Sequence, residues 1–184
     1  MRPSLHREPD GALAIARHYI RDVVYGANDG IITTFAVVAG VTGGALPARA
    51  VLIVGVANLF ADGLSMGVGN YLSIRSNESA RAAQDLPEEE SSPARHGVAT
   101  FLAFVAAGAL PLLPYMLPDV GVSRFTPSLI LAFAALFGVG SSRALVTLDR
   151  WWSAGLEMLG LGALVALAAF GSGAFISWMV PGLG

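Results

Sequence analysis

Five long apolar stretches dominate the sequence, and each is about as long as a helix that crosses a lipid bilayer. They cover residues 23–45, 50–72, 98–117, 127–148 and 153–180. A membrane-spanning helix needs roughly 20 mainly apolar residues, and its backbone polar groups must all find partners within the segment. Only 13% of the residues are charged, whereas soluble domains have about 25%. The sequence therefore predicts an all-α integral membrane protein with five transmembrane helices.

The basic residues predict the direction in which the helices cross. The chain has eleven, all arginines, and nine of them fall on one side of a five-span bundle. Only Arg49 and Arg124 fall on the other side. Because basic loop residues are retained in the cytoplasm, we expect a cytoplasmic N-terminus and a C-terminus on the outer side of the membrane.

One polar segment precedes the predicted transmembrane domain, residues 23–180, and a second interrupts it. In residues 1–22, apolar Leu13 and Tyr19 alternate with Arg17 and Arg21, which is typical of a cytoplasmic amphipathic helix at the membrane surface. Residues 73–97 form a cytoplasmic polar loop with an acidic run. This loop could gather cations, but the favoured interpretation is a solvated linker made irregular by proline and charge.

Polar side chains inside the first two spans are the main functional signal. The first span contains Asn28 and Asp29. The second contains four such residues at intervals of four: Asn58, Asp62, Met66 and Asn70. Residues four apart lie on nearly the same helix face, and intramembrane carboxylates are rare and usually functional. We interpret the stripe as one wall of a transport path with Asp29 opposite, although structural bonding between helices is an alternative.

The ligand types constrain what could move along this path. Carboxylate and amide oxygens suit hard divalent cations, and a thioether favours transition metals. The chain has no cysteine and its three histidines lie outside the predicted spans, which argues against a tight zinc or copper site. We expect transient binding of transported Fe²⁺ or Mn²⁺ by Asp29, Asp62 and Met66, with no permanently bound cofactor. Because metal binding displaces protons from its ligands, Asp29 and Asp62 could couple metal movement to proton antiport.

Other function classes fit the sequence less well. The net charge of −2 gives no basis for nucleic-acid binding. The segment GLSMG, residues 63–67, matches a hydrolase nucleophile motif, but that motif needs a strand-to-helix turn and a histidine base. We therefore expect no enzyme. The remaining alternative is a non-transporting membrane scaffold or metal sensor, in which the polar residues only hold helices together.

Two segments carry a family resemblance. RDVVYGANDGIITTFAVVAGVTGG and NLFADGLSMGVGNYLSIRSNE resemble the first two spans of the vacuolar iron transporter family. The resemblance implies a five-span homodimer that exports Fe²⁺ or Mn²⁺ from the cytosol, coupled to protons, and it matches Asp29 and Met66 to residues that line the route. Residues 73–97 are too few for the glutamate-rich metal-collecting domain of longer members, and Asn70 replaces a glutamate. The chain thus resembles a short bacterial-type member, which implies a bacterial inner membrane.

Small residues on the first span suggest how two copies could meet. Gly26, Gly30, Gly40 and Gly44 lie on this span, and small residues at such spacing let membrane helices approach closely. We expect this glycine face to contact a second copy in a two-fold dimer, with the path at or near the interface.

Overall fold

The computed structural model describes residues 4–5, 9–118, 123–145 and 150–180, and the regular structure in these ranges is helical apart from one isolated β-bridge between Ser4 and Glu88. The helices are α1 (Ala12–Gly43), α2 (Ala48–Ala83), α3 (Pro93–Gly108), α4 (Leu113–Met116), α5 (Phe125–Ser142) and α6 (Trp151–Met179). Short 3₁₀ turns, Leu110–Leu112 and Arg143–Leu145, join α3 to α4 and follow α5.

Five helical segments are long and apolar enough to cross a membrane, as the sequence predicts. They are Ala12–Gly43, Ala48–Ala83, Pro93–Met116, Phe125–Leu145 and Trp151–Met179. The third includes a tighter turn at Pro111, which has no backbone N–H to donate and so interrupts the regular helical hydrogen bonding.

Two helices are longer than the apolar runs that predict them. α1 begins at Ala12, so residues 12–22 continue directly into the first span. α2 has 36 residues and is about 54 Å long at 1.5 Å per residue, which exceeds the roughly 30 Å of hydrocarbon in a bilayer. The favoured interpretation of 73–97 as a solvated linker is wrong, because 73–83 are helical and the Glu78 side chain is buried.

α1 lies at the centre of the bundle. It packs against α2, α3, α5 and α6, while α2 also packs on α3 and α5 on α6. Apolar side chains from all five long helices fill the space around it. The fully buried members of this core include Ile31, Phe35, Val38, Val51, Phe104, Leu112, Ala132 and Leu136.

The glycine face of α1 is occupied within the same chain. Gly26 and Gly30 lie directly against the α3 backbone at Thr100 and Phe104, and Gly43 lies against Phe170 on α6. A side chain at any of these positions would collide with backbone atoms, so the glycines allow the close approach of α1 to both neighbours. The expectation that this face contacts a second copy is therefore wrong, since α3 and α6 already cover it.

Candidate metal path and a neighbouring polar cluster

The four residues of the α2 stripe share one edge of their helix, as their spacing predicts. Asn58, Asp62, Met66 and Asn70 are all partly exposed. They border the buried face of α2, where the adjacent residues Leu59, Gly63 and Gly67 are in contact with other helices. The stripe thus follows the boundary between the packed and the exposed sides of α2.

Asp29 lies next to this stripe. It is partly exposed on α1, and its carboxylate is close enough to that of Asp62 for their charges to interact. The neighbouring Thr33 hydroxyl donates a 2.8 Å hydrogen bond to the Asp29 backbone carbonyl, which leaves the carboxylate out of that interaction. Two acidic side chains on adjacent helices therefore lie near each other within otherwise apolar segments.

Asn28 belongs to a different part of the molecule from Asp29. It lines a cavity of about 350 Å³ together with Arg143, which follows α5, and Met158 of α6. Its Oδ1 is buried and accepts no hydrogen bond from the residues that the structure describes. The structure therefore separates Asn28 from the acidic pair, although the two residues are adjacent in sequence.

The far end of the stripe joins a buried hydrogen-bond network. The Asn70 amide donates to Asp22 Oδ1 and to Thr100 Oγ1, both at 2.8 Å. Thr100 in turn donates to the His96 carbonyl at 3.0 Å. Asn70 is about 12 Å along the helix from Asp62 at 1.5 Å per residue, so it does not share the Asp29 site. Met66, which lies between them, packs against the apolar core.

Asp22 is the centre of this network. Its side chain is 2% exposed, and its Oδ2 lies 2.5 Å from Nδ1 of His96, which is 6% exposed. Burying a carboxylate is costly unless its oxygens are paired. Here one oxygen receives the Asn70 amide and the other the imidazole, so α1, α2 and α3 are tied together at one point.

Two histidines meet beside Asp22. The sequence places all histidines outside the spans, but His18 lies in α1 and His96 in α3, and both helices begin before the apolar runs do. Nε2 of His18 lies 3.2 Å and Nε2 of His96 2.9 Å from the same oxygen, Glu90 Oε2. The absence of histidine from the predicted spans therefore argues against histidine ligands inside the spans, but not at the helix ends where His18 and His96 meet.

The segment that carries Glu90 is held by Glu78 and Arg81 near the end of α2. Glu78 Oε1 accepts the backbone N–H groups of Glu89 and Glu90 at 3.1 and 3.0 Å. Arg81 pairs with the Glu89 carboxylate at 2.8 Å and donates to the Pro87 carbonyl at 3.0 Å. The acidic run is thus partly folded back onto α2 and α3.

Sequence reasoning missed this cluster, although part of its signal is visible. His18 and Asp22 are one helical turn apart on α1, and His96 and Thr100 are one turn apart on α3. Each pair marks a polar face at the start of a helix. The sequence does not reveal that the two faces meet, because this contact joins helices that are separated by the whole of α2.

Fold and site together define a multi-pass helical membrane protein with paired carboxylates on adjoining helices. The VIT family model matches residues 20–89 and 80–174. The chain belongs to the VIT family, and the resemblance seen in its first two spans is confirmed.

Two curated relatives are similar in sequence to most of the chain, and a third is similar to a shorter part of it. Vacuolar iron transporter 2 of Oryza sativa subsp. japonica is 25% identical over 213 residues, covering 85% of this chain and 87% of the relative. Vacuolar iron transporter homolog 5 of the same organism is 32% identical over 165 residues, covering 78% and 79%. The vacuolar iron transporter of Toxoplasma gondii is 47% identical over 72 residues, covering 39% of this chain and 22% of the relative. These relatives are named as vacuolar iron transporters or as a homolog of them.

Proposed function

We propose that this protein exports divalent transition metal, Fe²⁺ or Mn²⁺, from the cytosol in exchange for protons. The observation that carries the proposal is the acidic pair, Asp29 and Asp62, whose carboxylates lie near each other on α1 and α2 within membrane-spanning helices. Intramembrane carboxylates mark ion pathways and proton relays. The relatives named vacuolar iron transporters support iron as one substrate.

Proton exchange follows from the chemistry of the acidic pair. Metal ligands must be deprotonated, so a divalent cation and protons compete for the two carboxylates. Binding of the cation therefore releases any protons that they carry. Protons returning from the outer side would then release the metal. Met66, one turn from Asp62 on α2, would add a soft ligand that favours transition metals over Mg²⁺.

The proposed orientation has the N-terminus in the cytoplasm and the C-terminus outside, in a bacterial inner membrane. Nine of the eleven arginines support it, because they share one side of a five-span bundle. Reporter fusions near Glu89 and at Gly184 test it. Matching signals from the two fusions would exclude this orientation.

We further propose a homodimer that covers the acidic pair through α2. Beside the stripe, α2 exposes four small residues at intervals of four: Ala57, Ala61, Ser65 and Gly69. Such a face allows close helix contact, and a second copy would shield the partly exposed Asp29 and Asp62 from lipid. Because the chain has no native cysteine, Ala61→Cys should cross-link in membranes, whereas Leu167→Cys on the exposed side of α6 should not. Equal cross-linking at both positions would count against this interface.

Flux in liposomes tests the transport proposal. Purified protein is assayed with Fe²⁺, Mn²⁺, Co²⁺ and Zn²⁺, with and without a pH gradient, using an internal pH dye. Asp29→Asn keeps the side-chain shape but removes the charge, so metal-dependent proton release and transport should both be lost.

The matched control is Asp85→Asn. Asp85 is exposed beyond the end of α2 and has a positive φ of 55°, a conformation that asparagine tolerates well. This variant should transport like the wild type. If Asp29→Asn moves metal and protons at the wild-type rate, the path is misplaced. If the wild type moves no metal at all, a scaffold or sensor role is the better account.

A further inference from the structure

Three potential metal ligands converge where α1, α3 and the segment between α2 and α3 meet. They are His18 Nε2, Glu90 Oε2 and His96 Nε2, and all three atoms lie within 4.8 Å of one another. From this geometry we infer a second metal site, distinct from the acidic pair, that binds one divalent transition-metal ion through two imidazoles and one carboxylate. Metal–ligand bonds of about 2.0–2.2 Å would bridge these atoms with small side-chain shifts.

His96 is oriented as a metal ligand. Its Nδ1 lies 2.5 Å from the buried Asp22 carboxylate, which can only accept a hydrogen bond when ionised, so Nδ1 carries the proton. In neutral imidazole this leaves a lone pair on Nε2. A carboxylate that fixes the far nitrogen of a histidine is the usual outer-shell partner of a metal-bound imidazole.

The lone pair on His96 Nε2 faces a second acceptor. Glu90 Oε2 is 2.9 Å away, but among the described residues Nε2 makes no contact with the geometry of a hydrogen bond. Two lone pairs at this distance repel each other unless a cation lies between them. The cation is either an extra proton on the imidazole or a metal ion, and the ligand set of two imidazoles and one carboxylate favours Fe²⁺, Mn²⁺, Co²⁺ or Zn²⁺ over Mg²⁺ or Ca²⁺.

Local charge supports a divalent ion. Asp22 and Glu90 bring two negative charges to a largely buried position, because their side chains are 2% and 14% exposed. The Arg21 guanidinium is 3.9 Å from Asp22 but is itself 77% exposed, so solvent screens its charge. Two carboxylates at one largely buried position favour the binding of a cation.

The site is both held in place and accessible. Glu90 Oε1 accepts the Ser92 backbone N–H at 2.8 Å, which leaves Oε2 directed at the histidines. A cavity of about 410 Å³ reaches His96 and Glu90, and it is lined in part by Glu78 and Glu89. Preorganised ligands next to an acidic cavity suit capture of a hydrated cation.

Titration with Co²⁺, followed by visible absorption, tests this site in the full-length purified protein. Every variant carries Asp29→Asn, so that the acidic pair contributes no signal. We expect a band of nitrogen-ligated Co²⁺ in this background. His18→Gln and Glu90→Gln should each weaken Co²⁺ binding at least tenfold. Asp85→Asn is the matched control, since Asp85 is an exposed carboxylate that does not line this cavity, and it should leave binding unchanged.

His96→Gln should also remove the band, but it breaks the contact with Asp22 and could disturb folding. His18→Gln keeps the test valid because His18 lies outside the Asp22 hydrogen bonds, and circular dichroism checks that each variant is folded. A band that persists in both histidine variants, or no nitrogen-type band in the starting protein, overturns the inference and leaves a protonated His96 as the cation. This equilibrium measurement is independent of flux, so its failure does not affect the proposed path.

Discussion

Asp22→Ala should destabilise the protein more than most single substitutions. Asp22 is 2% exposed and accepts the Asn70 amide at 2.8 Å and the His96 imidazole at 2.5 Å. Alanine removes both acceptors at once. Asn70 keeps Thr100 as a partner, but the Nδ1–H of His96 would stay buried without an acceptor. α1 would then lose the polar contacts that Asp22 makes with α2 and α3.

The size of the effect follows from burial and charge. Each hydrogen bond that the Asp22 carboxylate accepts is worth about 1.5–3 kcal/mol, so we expect Asp22→Ala, which removes two of them, to lose about 3–5 kcal/mol. Asp22→Asn keeps an acceptor oxygen for Asn70 but replaces a charge-assisted bond, worth about 1.5–3 kcal/mol, with a neutral one worth about 0.5–1.5 kcal/mol. The asparagine variant should therefore lose only about 1–2 kcal/mol.

Equilibrium unfolding in mixed micelles of sodium dodecyl sulfate and a mild detergent, followed by circular dichroism, measures both variants. Asp10→Ala is the control, because Asp10 is exposed before the start of α1, and it should unfold like the wild type. If Asp22→Ala falls within about 1 kcal/mol of the wild type, below the value of even one hydrogen bond to a carboxylate, the network does not stabilise the bundle as described. Equal losses for the alanine and asparagine variants would also refute the reasoning.

Three further predictions concern the packing of α2 on α3, the segment held by Glu78 and the proposed metal path. Gly67→Ala would place a Cβ 2.7 Å from the Gly97 carbonyl oxygen and should cost about 1–3 kcal/mol in the same unfolding assay, whereas Gly69→Ala meets nothing within 4 Å and should be neutral. Glu78→Gln replaces a carboxylate that accepts two backbone N–H groups with a neutral amide. The weaker hydrogen bonds should speed proteolysis of residues 84–92. Met66→Leu should leave the unfolding midpoint nearly unchanged but lower Mn²⁺ flux in liposomes.

The long apolar runs make the transmembrane helices predictable from the sequence. A continuous apolar run of about 20 residues is typical of a membrane-spanning helix and is longer than most buried helices of soluble proteins need. All five predicted spans correspond to helices. The pattern of residues 1–22 predicts a separate amphipathic helix, but neither its continuation into the first span nor the extension of α2 is predictable from hydropathy. Residues 73–83 are polar and charged, so hydropathy does not predict that they continue α2. Their partial burial depends on tertiary contacts such as that of Glu78 with Glu89 and Glu90.

The candidate site is also predictable only in part. Spacing along one helix predicts the α2 stripe, because it depends only on helical geometry. Contacts between helices are harder to anticipate. Asn28 and Asp29 are neighbours in sequence, yet they face different parts of the bundle, and His18 reaches His96 only through the packing of α1 on α3. The rotation of each helix about its axis decides these contacts, and the sequence of one helix does not determine it.

The central position of α1 has a consequence for biosynthesis. α1 is made well before one of its closest partners, α6. Until then Gly43, which lies against Phe170 in the finished bundle, faces lipid or neighbouring proteins. A chain that stalls before Trp151 would leave this groove open. Maturation of the bundle is thus tied to the synthesis of α6, and chains that stop before it would expose an apolar surface of the kind that promotes aggregation.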